Sequence, residues 1–246
     1  MTVAPASSAL PLIELRGIGV RYPGATVTAL HGIDLTVGHG ELVTLDGPVG
    51  SGKSTLLSVV GLMLTPTTGS YLFNGLDTAR LGDRDLACIR CRQIGYVSQR
   101  PALLAARSVL ENVMLPALYA GLPRHRRRIA ALDALDRVGL ARVAHVTARE
   151  LTVGQQQMVA IARAVVTEPS LLVCDDPTAN LDDAAATTIV GLLVGLRLDR
   201  RTVLVATKDQ LAAAYSSRIV TVGAMTPTAP STASATKTVP TTGAWR

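Results

Sequence analysis

The stretch GPVGSGKST at residues 47–55 constrains the fold of this chain more than any other feature. It matches the pattern G-x-x-x-x-G-K-[ST], follows the apolar run GELVTLD and precedes the helical run STLLSVVGLML. In a strand–loop–helix context, backbone N–H groups turn inward around a phosphate, and the helix dipole adds positive potential. The pattern therefore predicts a nucleotide-phosphate site, with Lys53 near the β- and γ-phosphates and Ser54 on Mg²⁺; a plain glycine turn is the alternative.

A second stretch, LLVCDDPTANLD at residues 171–182, is an aliphatic run that ends in two adjacent carboxylates. Such a strand commonly supplies the Mg²⁺-side partner of a phosphate loop. We expect Asp175 to lie on the metal side and Asp176 to act as the base that activates water. The residues alone leave open whether so short a side chain as Asp176 can reach the water it would deprotonate.

Composition narrows the possible partners. The chain has 246 residues, a net charge of +6 and only 3% aromatic residues, which disfavours base stacking and hence a nucleic-acid partner. The densest basic cluster, PRHRRR at residues 123–128, suits either a solvated helix face or contact with lipid headgroups. No apolar run reaches the roughly 18 residues needed to cross a bilayer, and the start lacks signal-peptide features, so we expect a cytoplasmic location.

The chain alternates between strand and helix patterns. Residues 12–46 and 69–75 predict strands with hairpin turns, residues 52–64 a helix, and residues 100–165 mostly helices. Short Val- and Leu-rich runs at 171–174 and 202–206 predict buried parallel strands. Residues 1–11 suit a flexible leader, residues 12–225 one domain, and the Thr/Ala/Pro-rich residues 226–246 a disordered tail.

Three further stretches complete a recognisable set: IGYVSQ ending at Gln99, LTVGQQQMVAIARAVV at 151–166, and LVATKD at 204–209. Together with the phosphate loop and LLVCDD, in this order, they resemble the ATP-binding cassette (ABC) ATPases over residues 12–223. The segment from Gln99 to about residue 140 resembles the subgroup that serves lipoprotein release, macrolide export and bacterial cell division. The resemblance implies an α/β fold: a P-loop NTPase core with a mostly parallel sheet, an antiparallel β-subdomain contributed largely by residues 12–46 and 69–75, and an α-helical subdomain.

The resemblance also implies roles for individual residues. Tyr22 would stack on adenine, although a strand-end core tyrosine is the alternative. Gln99 would sense Mg²⁺ and the attacking water, Asp175 would hold Mg²⁺, and Asp182 would contact the partner's site. The remaining ATP contacts implied are the phosphate-loop residues Gly47, Gly50, Ser51, Gly52, Lys53, Ser54 and Thr55, and the signature residues Thr152, Gly154 and Gln155. In this family the signature caps the γ-phosphate of ATP held by the opposite subunit.

The implied assembly is a dimer of ATP-binding subunits beneath a separate membrane permease, at the cytoplasmic face of the membrane. A side groove of the helical subdomain would accept a permease coupling helix, with residues 100–122 as one wall. ATP and Mg²⁺ would be the cofactors. The function implied is therefore an ATP-binding subunit whose hydrolysis of ATP drives transport.

Three positions depart from the family pattern, and all bear on the chemistry. Asp176 stands where the family has a glutamate base, so its oxygen falls roughly 1.5 Å short for an unchanged backbone, and misplacement of about 1 Å can cost ~100-fold in rate. Lys208 stands where the family has a histidine. Val153 stands where the family has a glycine, and a β-branched residue resists the close approach or unusual φ that glycine allows. A cationic lysine cannot accept a hydrogen bond but can hold the γ-phosphate. We therefore expect a site that holds ATP better than it cleaves it, with a regulatory ATP-binding module as the alternative function. A homodimer would carry these changes at both sites, whereas a heterodimer would separate them.

The carboxylate of Asp46, just before the phosphate loop, is unexpected. Pointing at the phosphates it would weaken triphosphate binding; alternatively, it turns away to bind backbone.

Overall fold

The computed structural model describes residues 10–24 and 27–223. Most of the predicted leader and all of the predicted tail lie outside these residues. The strands are β1 (Ile13–Val20), β2 (Leu30–Val37), β3 (Leu42–Asp46), β4 (Thr68–Phe73), β5 (Leu76–Asp77), β6 (Ile94–Val97), β7 (Leu171–Asp175), β8 (Thr202–Ala206) and β9 (Arg218–Thr221). The α-helices are α1 (Lys53–Val60), α2 (Asp83–Gln93), α3 (Val109–Tyr119), α4 (Arg124–Arg137), α5 (Val153–Val165), α6 (Asp183–Leu198) and α7 (Gln210–Ala214).

A five-stranded parallel sheet forms the centre, in the order β6-β7-β8-β3-β9. Its three central strands, β7, β8 and β3, are short runs rich in Leu and Val that are buried on both faces, as parallel strands between layers must be. Alternate side chains enter two hydrophobic clusters. Val43, Leu171 and Leu204 pack with α1 and the antiparallel sheet, while Leu172 and Val203 pack with the helices of the other face.

A second, antiparallel sheet has the order β2-β1-β4-β5 and covers one face of the core. Ile13 pairs with Val37 on one side and with Phe73 on the other. One expectation was wrong: residues 42–46 belong to the parallel sheet, between β8 and β9, and not to the antiparallel subdomain. The physical reason is that all four residues of LVTL are buried, as in a strand covered on both faces, whereas β1 and β2 include exposed positions.

Helices α3, α4 and α5 contact one another and lie within the predicted helical region at 100–165. Helix α3 begins with a capping box, in which Ser108 and Glu111 each bind the other's backbone N–H. The carboxyl end of α5 returns to the parallel sheet at Gly95, where an added Cβ would lie 2.3 Å from the carbonyl oxygen of Ala164. Helix α5 therefore links the helical region to β6.

Among the helices within residues 10–24 and 27–223, none combines the length and apolar character needed to span a bilayer.

Candidate nucleotide-binding site

The loop between β3 and α1 has the backbone shape of a phosphate cradle. Gly52 has a φ of +92°, and a Cβ there would lie 2.6 Å from the carbonyl oxygen of Ala29, so only glycine fits without a shift. The ammonium of Lys53 donates hydrogen bonds to the carbonyls of Gly47 at 2.7 Å and Pro48 at 2.9 Å. The side chain of Lys53 therefore folds back over the loop that precedes it, and its charge lies beside the carbonyls of Gly47 and Pro48.

Ser54 connects this loop to the acidic end of β7. Its hydroxyl donates a hydrogen bond to Oδ1 of Asp175 at 3.0 Å. Burial raises the pKa of Asp175, and the charge of the neighbouring Asp176 acts in the same direction, while the Ser54 hydrogen bond and the Lys53 charge oppose it. The pair therefore offers a hydroxyl and a carboxylate oxygen, both of which are ligands that Mg²⁺ prefers.

Asp176 is held in place by the end of β8. Its backbone is left-handed, with a φ of +45°, and its N–H donates to the carbonyl of Ala206 at 2.7 Å. The hydroxyl of Thr207 donates to Oδ1 of Asp176 at 3.2 Å and accepts from the N–H of Asp209 at 3.0 Å. One carboxylate oxygen of Asp176 is thus engaged by the protein, which restrains where this side chain can reach.

Asp46 turns back to its own backbone. Its Oδ1 accepts a hydrogen bond from the N–H of Gly47 at 2.7 Å. Of the two orientations left open by the sequence, the structure has the one directed at backbone. The first N–H of the phosphate loop is therefore already occupied by a carboxylate.

Tyr22 lies beside the start of α1. Its side chain is 44% exposed, and its hydroxyl is 3.3 Å from the hydroxyl of Thr55. This exposure disagrees with the alternative that Tyr22 is a core residue. The open ring is available to a flat ligand next to the phosphate loop.

Gln99 and Lys208 are both exposed and follow β6 and β8 by two residues. Since β6, β7 and β8 are adjacent and parallel, their carboxyl ends meet at one edge of the sheet. The carboxylates of Asp175 and Asp176 follow the strand between them. All four positions thus lie along the edge where open α/β sheets bind ligands.

The signature residues form the start of α5. The Thr152 hydroxyl accepts from the N–H of Gln155 at 3.3 Å, and the Gln155 side chain accepts from the N–H of Thr152 at 3.1 Å. A Cβ at Gly154 would lie 3.0 Å from the Cβ of Ala185 on α6. Among the described residues, no hydrogen bond joins Thr152 or Gln155 to the phosphate loop of the same chain.

The structure gives Val153 an ordinary backbone, so a β-branched residue meets no conformational obstacle here. Val153 is the first residue of α5 and does not have a positive φ. Its side chain is 57% exposed. The consequence of valine here is therefore an apolar side chain projecting from the helix start, with no backbone strain.

Two residues of α5 that the sequence did not single out hold the loop that carries Gln99, one on each side of it. Arg163 donates to the carbonyls of Pro101 at 2.7 Å and Ala102 at 2.9 Å. The fully buried Gln157 donates to the carbonyl of Ser98 at 3.3 Å. A polar residue within an apolar helical run, as Arg163 is within VAIARAV, is the signal that could have drawn attention to this clasp.

The parallel sheet, the glycine loop between β3 and α1, and the carboxylate at the end of β7 define a phosphate-loop NTPase. The ABC transporter family profile matches residues 30–179, which is more than half of the chain. This chain belongs to the ABC transporter family.

Individual relatives agree with this assignment. The macrolide export ATP-binding/permease protein MacB 1/2 of Paracoccus denitrificans is 42% identical over 218 residues, covering 87% of this chain and 32% of that protein. The pyoverdine export ATP-binding/permease protein PvdT of Pseudomonas syringae pv. tomato is 40% identical over 213 residues, covering 85% and 32%. The chain therefore spans about a third of the length of these curated relatives.

Solved structures show the same fold. The dimeric ATP-binding cassette MJ0796, in a post-hydrolysis state bound to ADP and Pi, superposes with a TM-score of 0.79 at 35% identity, covering 85% of this chain and 94% of that one. CbiO1 from Clostridium perfringens, part of the transporter complex cbiONQ, gives 0.77 at 30% identity, covering 86% and 84%. The expected family and fold class are confirmed.

Proposed function

We propose that this chain is the ATP-binding subunit of an ABC transporter, which binds ATP with Mg²⁺ at a dimer interface and drives a membrane permease by slow hydrolysis. The observation that carries this proposal is the 3.0 Å hydrogen bond between Ser54 and Asp175. It places a hydroxyl on the phosphate-loop helix and a carboxylate on β7 at one point. A metal bound to the β- and γ-phosphates needs both.

The donor set fits Mg²⁺. The described residues contain no group of three or more His, Cys, Asp or Glu side chains that could hold a metal by themselves. This suits Mg²⁺ in a nucleotide site, because the ion uses one or two protein oxygens and takes its other ligands from phosphates and water. Ser54, Asp175 and Gln99 are the proposed ligands, direct or through water. The bound ion would neutralise charge on the transferring phosphoryl group.

The rest of the phosphate loop supplies positive potential. Lys53 would exchange its hydrogen bonds to the loop carbonyls for bonds to the β- and γ-phosphates. Apart from the N–H of Gly47, which Asp46 occupies, the N–H groups of the loop and of the start of α1 would bind the same anion. Tyr22 would stack on adenine at the entrance, where its ring is exposed.

Dimerisation would complete the site. Thr152, Gly154 and Gln155 begin α5, and their proposed ligand is ATP on the partner subunit. Support comes from the dimeric structure of MJ0796, which is 35% identical to this chain. In a homodimer the departures at Asp176 and Lys208 would affect both ATP sites. In a heterodimer they would affect only one.

A groove of about 540 Å³ is the proposed permease contact. It lies between α4 and the carboxyl end of α5, and only Ala120 and Leu122 come from the expected wall at 100–122. Its other lining residues are Arg92, Ala130, Asp133, Ala134, Arg137, Val165, Val166, Thr167 and Glu168. Its lining combines small apolar side chains with charged ones, which suits an amphipathic helix. The relatives' names pair ATP binding with a permease.

A second function, a hydrolysis-poor regulatory module, is favoured by the restraint on Asp176. Its carboxylate is engaged by Thr207 and is shorter than glutamate, so its access to an attacking water is reduced. Lys208 would stabilise bound ATP without accepting a proton. In this version ATP binding and dimerisation, and not turnover, would signal to the membrane partner at its cytoplasmic face.

Binding and turnover separate the two functions. Fluorescent ATP-analogue binding would be measured with Mg²⁺ and with EDTA, alongside phosphate release, for the full chain and for Asp175→Asn. The matched control is Asp85→Asn, an exposed aspartate on α2. Mg²⁺-dependent binding lost only in Asp175→Asn supports the site. Phosphate release that a co-purified permease stimulates supports the transporter subunit, whereas tight binding without release supports the regulatory module. Absence of Mg²⁺-dependent binding would overturn both.

A further inference from the structure

We propose that the turn between α3 and α4 binds the anionic headgroups of a phospholipid membrane. We call this surface the basic turn and define it by Leu118, Tyr119, Arg124, His125, Arg126, Arg127, Arg128 and Ile129. The proposal goes beyond the proposed function, because it gives the chain an affinity for lipid that needs neither the permease nor ATP.

Helix α4 begins with five consecutive basic residues, 124–128, after the N-cap Pro123. No acidic residue lies in its first turn. The amino end of a helix carries a partial positive charge, so cations here oppose the helix dipole and repel one another. The stability of α4 therefore does not explain the cluster, and an external anion does.

The protein itself leaves this charge uncompensated. Among the ion pairs of the described residues, none includes Arg124, Arg126, Arg127 or Arg128. The Nε atom of Arg127 is buried and has no hydrogen-bond partner. The next acid along the helix, Asp133, follows Arg128 by five residues, more than one turn away. A ligand with several anionic groups would compensate the exposed guanidinium groups of Arg124, Arg126 and Arg128 together.

Exposed apolar side chains flank the same charges. Tyr119 is 77% exposed, Leu118 47% and Ile129 57%. Ile129 follows His125 by four residues and Arg126 by three, so it shares the outward face of α4 with them. Only four residues separate Tyr119, the last residue of α3, from Arg124, the first residue of α4.

The combination of arginines with exposed apolar side chains favours a membrane surface over other anionic ligands. A free phosphate or a nucleic-acid backbone would use the arginines but would leave Leu118 and Ile129 in water. A bilayer surface offers anionic headgroups above an apolar layer, which matches basic residues interspersed with aliphatic and tyrosine side chains. Tyrosine also suits the interface, where its ring is half apolar and its hydroxyl remains in water.

The test uses the full chain and vesicle flotation. Vesicles of phosphatidylcholine alone are compared with vesicles rich in phosphatidylglycerol, at low and high salt. We expect binding to the anionic vesicles only, weakened by salt. The triple variant Arg124→Gln, Arg126→Gln and Arg128→Gln should bind about 100-fold more weakly, as expected for three lost contacts of a few-fold each.

A matched control changes three exposed arginines outside the basic turn: Arg84→Gln, Arg142→Gln and Arg149→Gln. It has the same net charge as the triple variant and should retain vesicle binding. Tyr119→Ser with Ile129→Ser should weaken binding at high salt, where the apolar part dominates. ATP binding, unchanged in all variants, reports that each has folded.

Four results would overturn the proposal. The first is no binding to anionic vesicles, and the second is an equal loss of vesicle binding in the triple variant and its control. The third is full displacement of the protein from vesicles by inorganic phosphate. The fourth is a triple variant that no longer co-purifies with the permease but binds vesicles as before. The third would indicate a free-anion site, and the fourth a protein partner. None of them bears on Mg²⁺-dependent ATP binding, so the lipid proposal and the proposed function can fail separately.

Discussion

The hydroxyl of Thr207 donates a hydrogen bond to Oδ1 of Asp176 across 3.2 Å, which links the ends of two adjacent parallel strands. Thr207 is buried, and it is itself fixed by the N–H of Asp209. The residue expected to act as the base is therefore restrained on one side by the protein. This restraint adds to the shorter reach of aspartate, and in the proposed function both would reduce its contact with an attacking water.

Restoring glutamate and histidine should speed hydrolysis. In the double variant Asp176→Glu with Lys208→His, the longer side chain extends past the Thr207 contact, and the imidazole can accept a hydrogen bond. We expect phosphate release at saturating ATP to rise about 10- to 100-fold. The control Asp176→Asn with Lys208→His has no carboxylate and should not gain activity. An unchanged rate in the glutamate variant would contradict the account given for these positions.

The clasp of Arg163 on the loop after Gln99 should contribute measurably to stability. Arg163→Ala removes two charge-assisted hydrogen bonds to Pro101 and Ala102, and we expect a loss of roughly 1–3 kcal/mol in the free energy of unfolding. Urea titration measures this loss, and Arg163→Lys should recover part of it. The control Arg142→Ala changes an exposed arginine and should be near neutral.

The same clasp should affect turnover more than ATP affinity. Because Arg163 holds the loop that carries Gln99, removal of the Arg163 side chain should increase the mobility of Gln99. We expect kcat to fall about tenfold, with little change in KM, when the loop is misplaced by a fraction of an ångström. Equal changes in kcat and KM would indicate a general loss of structure instead.

The phosphate loop was predictable because the motif is contiguous. A glycine loop between a strand and a helix has one common use, and the residues from Gly47 to Thr55 specify it locally. The strands at 171–175 and 202–206 were similarly evident from short runs of Leu and Val. In these places the local pattern and the tertiary environment agree.

Contacts between distant segments were not predictable. The hydrogen bonds of Thr207 with Asp176, and of Arg163 with Pro101 and Ala102, join residues 31, 62 and 61 positions apart. A periodicity reports which face of an element is buried, but not which element covers it. For the same reason β3 was expected in the antiparallel sheet, since its neighbours β8 and β9 lie more than 150 residues further along the chain.

The capping box at the start of α3 should give stability a pH dependence. Hydrogen bonds from the backbone and hydroxyl of Ser108 lower the pKa of Glu111, with a smaller contribution from Arg107. A depressed folded-state pKa stabilises the protein above the unfolded pKa of about 4.3 and loses this effect as the pH falls through the folded value. Glu111→Gln should therefore lower Tm at neutral pH.

The difference in Tm should close at acidic pH, when the wild-type carboxyl is protonated as well. Thermal melts followed by circular dichroism at about pH 7 and about pH 3 would measure both differences. Glu150→Gln, a change at an exposed glutamate, is the control. A Tm difference that persists unchanged at acidic pH would show that ionisation of Glu111 is not the cause.

Replacing Val153 by glycine should strengthen ATP-dependent dimerisation. The valine side chain is 57% exposed at the start of α5, on the segment proposed to cap the partner's ATP. An extra apolar side chain in a close-packed contact costs about 1–3 kcal/mol. Removing it should tighten self-association by roughly tenfold or more, as 1.4 kcal/mol corresponds to a factor of ten.

Sedimentation with ATP and with EDTA would measure this change in Val153→Gly. Val153→Ala should lie between glycine and valine, and Ile219→Ala, at an exposed isoleucine of β9, should have no effect. Glycine also weakens the helix start, by up to about 1 kcal/mol, so a thermal melt should accompany each variant. Since φ at Val153 is not positive, the backbone already suits valine. Any gain in dimerisation must then come from the removed side chain, and an unchanged dimer would place Val153 outside the interface.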